Sequence, residues 1–166
     1  LGAVIEAFDV RPAVKNEVES HGAKFIEVEL SEEERRAQAT AGGYAREMSE
    51  DYRRRQAQLI AERAKAADIV ITTALIPGRP APVLLPEETV AGMKPGSVVV
   101  DMAVTQGGNC PLSRKDETVE RNGVKIVAPS NIPASLAADS SALYARNLLN
   151  FSALLLDSKT GELTLN

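Results

Sequence analysis

Three β-branched runs constrain this chain more than any other feature: Asp68-Ile69-Val70-Ile71-Thr72-Thr73, Ser97-Val98-Val99-Val100-Asp101 and Val124-Lys125-Ile126-Val127-Ala128. A strand with one wet face alternates apolar and polar residues, whereas near-continuous runs belong to strands covered on both faces in a parallel sheet. Helical patterns separate the runs. Ser49 followed by Glu50 and Asp51 starts a helix reaching about residue 66, because its side-chain oxygen can satisfy a free N–H and the acids suit the positive end. Tyr52, Gln56, Leu59 and Ile60 share the inner face of that helix by their three-and-four spacing. A proline-rich loop (76–86), a short helix (87–93) and a long helix (134–156) follow, with a hairpin turn at Lys159-Thr160-Gly161-Glu162.

The beginning of the chain repeats the alternation. Leu1-Gly2-Ala3-Val4-Ile5-Glu6-Ala7-Phe8 is an apolar run closed by Asp9, and Pro12 opens a helix to residue 21 with Val14 and Val18 on one face and Gly22 just past its end. Residues 24–28 form a short strand, and 31–50 is a charged, partly ordered excursion containing Gly42-Gly43-Tyr44. Strands alternating with helices specify an α/β fold, a doubly wound parallel sheet with right-handed crossovers. The chain opens at Leu1, without a methionine and inside a regular element, so it reads as a piece of a longer protein.

Composition removes several functional classes. The formal charge of −4, with basic residues interleaved among acids, disfavours nucleic acid as a partner. One cysteine (Cys110) and one histidine (His21) exclude an internal disulfide, a Cys/His zinc site and a His-dependent triad, and they fit a reducing, cytoplasmic compartment. The longest apolar stretch (136–156) carries Asp139, Arg146, Asn147 and Asn150 and is too polar to span lipid.

Ligands of such sheets sit beyond the carboxyl ends of the strands. That edge carries Asp9, Thr73-Ala74-Leu75, Asp101-Met102-Ala103 and Ser130-Asn131-Ile132. Two roles fit Asp9: the acid that holds the adenosine ribose of a dinucleotide, or a cap on the helix that follows. Gly107-Gly108 fits either a backbone approach to a phosphate or nicotinamide or a plain chain reversal. Gly43 and Tyr44 fit either a mobile flap over a ligand or an exposed loop. No basic residue lies within three positions of Cys110 to lower its pKa, so it is assigned no nucleophilic role.

Together Asp9-Val10-Arg11, Ala41-Gly42-Gly43-Tyr44-Ala45, Ile71-Thr72-Thr73-Ala74-Leu75-Ile76-Pro77-Gly78, Met93-Lys94-Pro95-Gly96-Ser97, Gly107-Gly108-Asn109-Cys110 and Asn147-Leu148-Leu149-Asn150-Phe151 resemble a family. It is the NAD(H)-binding domain of the alpha subunit of proton-translocating NAD(P) transhydrogenase. The resemblance implies a partial Rossmann-like domain over residues 1–156, lacking its first strand and glycine-rich turn, and a C-terminal hairpin or linker over 157–166. It implies NAD(H) bound here, with Asp9, Val10 and Arg11 on the adenosine ribose, Gly43 and Tyr44 closing over the nucleotide, and Gln56 and Leu75 as further contacts. NADP(H) would sit on a partner domain or beta subunit, hydride exchange would be coupled to a membrane domain, and this domain would form a homodimer. The implied location is the cytoplasmic side, peripheral to the inner membrane.

Alanine dehydrogenase is the related alternative. It carries an acid two residues ahead of the diglycine, where this chain has Thr105. Hydride exchange between two nicotinamides needs no substrate base, only two rings held close, so no catalytic residue is assigned here. A nucleotide-binding module without chemistry is the third reading. Without the strand and turn ahead of Asp9, two neighbouring strands are expected to keep unpaired edges, with weak NADH binding and aggregation in isolation.

Overall fold

The computed structural model describes residues 2–11, 13–28, 49–156 and 160–163. The excursion at 31–48 with Gly42, Gly43 and Tyr44 lies outside the described residues. In chain order the elements are β1 (Glu6–Ala7), α1 (Val14–Ser20), β2 (Lys24–Phe25), α2 (Glu50–Ala66), β3 (Ile69–Thr72), α3 (Glu87–Ala91) and β4 (Val98–Asp101). A 3-10 turn (Val104–Gln106) is followed by β5 (Thr118–Arg121), β6 (Val124–Val127), α4 (Ile132–Ser135) and α5 (Ala137–Leu155).

The strands fall into two sheets. β1 and β2 form a parallel pair, while the larger sheet has the order β3-β4-β6-β5. β3, β4 and β6 run parallel in register, with Ile69 beside Val98 and Val99 beside Ile126. β1-α1-β2 and β3-α3-β4 are the βαβ arrangement expected from the alternating pattern, whereas β4 reaches β6 through the 3-10 turn and β5. Among the described residues, β1 pairs only with β2 and β3 only with β4, so each presents one open edge.

The core lies on one face of the larger sheet. Val99, Val124 and Ile126 are fully buried and pack with Ala64 of α2, Val90 of α3, Leu85, Met93 and Cys110. Burying a side chain of the Val or Ile class is worth about 1.5–3 kcal/mol, so this cluster dominates the stability of the sheet. Ile60 packs at its margin, as its place on the inner face of α2 requires. The opposite face is open: Ile69 and Ile71 are 63% and 61% exposed. The β-branched runs therefore mark the strands, yet only one of their two faces is fully covered here.

Helix ends follow local chemistry. The hydroxyl of Ser49 accepts a hydrogen bond from the Tyr52 amide at 3.1 Å, which caps α2, and Tyr52 is buried beneath it. Two features differ from the sequence reading. Residues 118–121 form a strand, antiparallel to β6, through a turn in which Asn122 and Gly123 both take positive φ (52° and 76°). The expected helix over 134–156 is two helices, because Leu136 leaves helical geometry (φ −128°, ψ 53°). The Leu136 amide and the Ser140 hydroxyl both donate to the Pro133 carbonyl, so the break leaves that acceptor satisfied. No residue of α5 is buried, and Leu143, Tyr144, Leu149, Phe151 and Leu154 are all more than 60% exposed. Leu156 bridges Leu163 across the terminal turn.

Candidate functional site

Asp9 stands two residues beyond β1, at its carboxyl end, and its side chain is 25% exposed. It does not cap α1, whose N-cap position is Ala13 and carries no side-chain cap. Its partner is Arg11. The Asp9 Oδ1 accepts from the Arg11 backbone N–H at 2.8 Å and from Nε at 3.0 Å, and Oδ2 accepts from Nη2 at 2.8 Å. The hydrogen-bonded guanidinium holds the Asp9 carboxyl below its ordinary range, against a partial burial that pushes it upward. A carboxylate has about four lone-pair directions. Arg11 takes three of them. Val10, between the two, is 47% exposed.

The larger sheet organises its carboxyl edge around Asp101, which is fully buried. Its Oδ1 accepts from the Ala103 amide at 3.0 Å, and its Oδ2 from the amides of Asn109 (2.8 Å) and Cys110 (3.1 Å) and the Ser113 hydroxyl (2.7 Å). The Thr72 hydroxyl, from β3, reaches it at 3.4 Å. These donors wrap the loop after β4 around one carboxylate. The diglycine is what permits the wrapping: Gly107 and Gly108 take φ of +99° and +81°, and a Cβ on Gly108 would stand 2.6 Å from Asp101 Oδ2. Chain reversal is thus the role the geometry gives Gly108. Gly107 faces open space in a shallow recess with Gly78, Arg79, Pro80 and Gln106.

Asn109, also fully buried, ties this loop to the one after β3. Its Nδ2 donates to the carbonyls of Ala74 (2.9 Å) and Pro82 (2.7 Å), and its Oδ1 accepts from the Ala74 amide at 3.0 Å. Leu75 emerges next to this clamp, 48% exposed, and Gln56 is half-buried on α2. Beyond β6, the Ser130 amide and hydroxyl both donate to Asp116, at 2.8 and 2.9 Å, which draws the Asp116 carboxyl below its ordinary range. Asp116 adopts φ +60° to make that reach. Burial pushes the Cys110 thiol up, away from a reactive thiolate. No group of His, Cys, Asp and Glu able to hold a metal occurs among the described residues.

A family described as "Alanine dehydrogenase/PNT, C-terminal domain" matches residues 1–166. The chain belongs to that family. Within the alanine dehydrogenase/PNT family it is 53% identical, over 99% of its length, to the first portion of the NAD(P) transhydrogenase alpha subunit of Rhodospirillum rubrum, covering 42% of that protein. It is 38% identical over 56% of its length to an alanine dehydrogenase of Lysinibacillus sphaericus, covering 26% of it. The crystal structure of transhydrogenase from Sinorhizobium meliloti superposes on 90% of the chain and 36% of that protein, with a TM-score of 0.67 and 45% identity. The α/β, Rossmann-like fold expected from the sequence is therefore the fold of the family. The chain spans less than half the length of these relatives.

Of the residues singled out from sequence, the structure joins Asp9 directly to Arg11 and puts Leu75 beside the Asn109 clamp. Gln56 lies half-buried on α2, and Gly43 and Tyr44 lie outside the described residues. Asp101, Asn109 and Asp116 carry the architecture of the edge, a role that the sequence reading gives to none of them. An acid closing a β-branched run eight residues before Asn109 is the signal that could have found the first two.

Proposed function

We propose that this chain is the NAD(H)-holding part of a proton-translocating transhydrogenase, working within a longer subunit. Sequence identity carries the reading: the transhydrogenase relative of R. rubrum is 53% identical over 99% of the chain, the alanine dehydrogenase 38% identical over 56%. The residues fit a dinucleotide at both sheets. Asp9 keeps part of its carboxylate exposed at a strand's carboxyl end, where ribose hydroxyls can donate to it. Gly107 presents backbone with no Cβ in the way. Val10, Arg11, Gln56, Leu75, Gly43 and Tyr44 complete the proposed contact set.

Bound NAD(H) would give or take the hydride, exchanging it with NADP(H) on a partner domain or beta subunit. The protein's part is binding, orientation and exclusion of water. Asp9 fixes the adenosine end. The Asp101 and Asn109 networks hold the loops after β3 and β4 in one rigid edge, against which the reacting end would rest. Thr105, exposed in the 3-10 turn, supplies no carboxylate for a substrate, which favours exchange between two nicotinamides over oxidation of an amino acid. Proton movement would belong to a membrane domain of the longer enzyme; among the described residues no helix is long and apolar enough to cross a membrane. We place this part on the cytoplasmic side of the inner membrane, as a homodimer.

The test is binding and turnover by the full-length protein. NADH should bind more tightly than NADPH to this domain, and NADH should reduce an NADP+ analogue only when the partner domain is present. Equal affinity for the two nucleotides, or pyruvate and ammonium turnover without NADP(H), would overturn the reading.

A further inference from the structure

We propose that the Asp9–Arg11 pair selects the nucleotide by sequestration: Asp9 withholds from a ribose 2′-phosphate the guanidinium that would otherwise receive it. The inference rests on Asp9 being the ribose site and goes beyond it, because it assigns Arg11 a task in rejecting the wrong nucleotide.

A carboxylate at the end of the second strand of a dinucleotide fold disfavours a 2′-phosphate by like charge, and an arginine nearby is what accommodates one. Here both groups are present two residues apart. Arg11 is not free to act, since Nε, Nη2 and its backbone N–H all donate to Asp9 between 2.8 and 3.0 Å. Two parallel N–H···O bonds to one carboxylate are the geometry an incoming phosphate would have to reproduce. Glu17, on α1, adds a second negative charge whose field falls on Arg11. The pair is reached from solvent, with side-chain exposures of 62% for Arg11 and 25% for Asp9, so a phosphate arriving there would meet a cation already neutralised. A ribose with free hydroxyls needs no such cation. It donates to the carboxylate of Asp9, whose side chain keeps 25% of its surface exposed beside Arg11. The discrimination thus has two parts, repulsion by Asp9 and withdrawal of Arg11, and only the second depends on Arg11.

A double-mutant cycle separates them. In the full-length protein, NADH and NADPH affinities are measured by calorimetry for wild type, Asp9→Ser, Arg11→Ala and the double variant, with Asp9→Asn as a second uncharged replacement should Asp9→Ser fail to fold. Adenosine 2′,5′-bisphosphate and 5′-AMP repeat the comparison without any nicotinamide. Releasing Arg11 should raise NADPH affinity relative to NADH by at least about tenfold, the worth of one charge-assisted pair. Adding Arg11→Ala should cancel most of that gain. An equal gain with and without Arg11 overturns the sequestration while leaving the ribose site intact. Wild type that binds neither nucleotide overturns the nucleotide reading and this inference together.

Discussion

Asp101 and Gly108 compete for the same few ångströms, and that competition makes a sharp prediction at the scale of one residue. An alanine at 108 must adopt φ near +81° and push a buried carboxylate from donors that depend on it. Left-handed backbone costs a non-glycine residue about 1–2 kcal/mol, and disturbing buried hydrogen bonds to a charged group adds about 1.5–3 kcal/mol. Gly107→Ala bears the first cost alone, because its Cβ would meet open space. Urea denaturation should therefore show Gly108→Ala destabilised by roughly 3–4 kcal/mol and Gly107→Ala by about 1–2 kcal/mol. Cys110 supplies a second test. Burial raises its folded pKa above the unfolded value, so its contribution is fully present below the ordinary thiol range and lost as pH climbs through the raised value. Iodoacetamide should label the native thiol far more slowly than the urea-unfolded one between about pH 8 and pH 9, where an ordinary thiol ionises. Labelling at the unfolded rate would refute the buried assignment. The place of Asp9 at a strand's carboxyl end was legible from sequence because a lone acid ending an apolar run is a local signal. The Asp101 network was not, since its donors come from 2 to 29 residues away and none is informative by itself.

Among the elements, the hairpin of β5 and β6 shows where local pattern runs out. β3, β4 and β6 announced themselves through β-branched runs, whereas Thr118-Val119-Glu120-Arg121 has one apolar residue and lies at the sheet's edge, where polar residues are tolerated. Its signal was the turn, Asn122-Gly123, the pairing that favours positive φ at both central positions. Gly123 also runs close to Pro95: a Cβ there would lie 3.1 Å from the Pro95 Cβ, and the Gly123 carbonyl accepts from the Gly96 amide at 2.7 Å. Gly123→Val should cost roughly 2–3 kcal/mol through backbone strain and crowding, read as a lowered urea midpoint with the slope unchanged. The division of the last helix had a subtler origin. Leu136 continues the apolar stretch, yet its backbone (φ −128°, ψ 53°) leaves helical geometry, so α4, capped at its start by Asn131 accepting from Ala134, is only four residues long.

Over the whole molecule, the core is one-sided and the apolar surface large. Ile69 and Ile71 lie on the open face of an edge strand, and α5 exposes Leu143, Leu149, Phe151 and Leu154. Edges and faces of this kind pair with other chains. The isolated 166 residues should scatter light as assemblies larger than a monomer, and Ile69→Lys with Ile71→Lys should shift the population toward monomer. A strictly monomeric wild type would contradict that expectation. The two-part sheet also divides the molecule energetically. β4 has a parallel neighbour on each side and a fully buried Val99, whereas β1 and β2 are joined over two residues each. Deuterium should accordingly enter the amides of Lys24 and Ile26 through small local openings, while those of Val99 and Ile126 keep their protons until the entire larger unit comes apart.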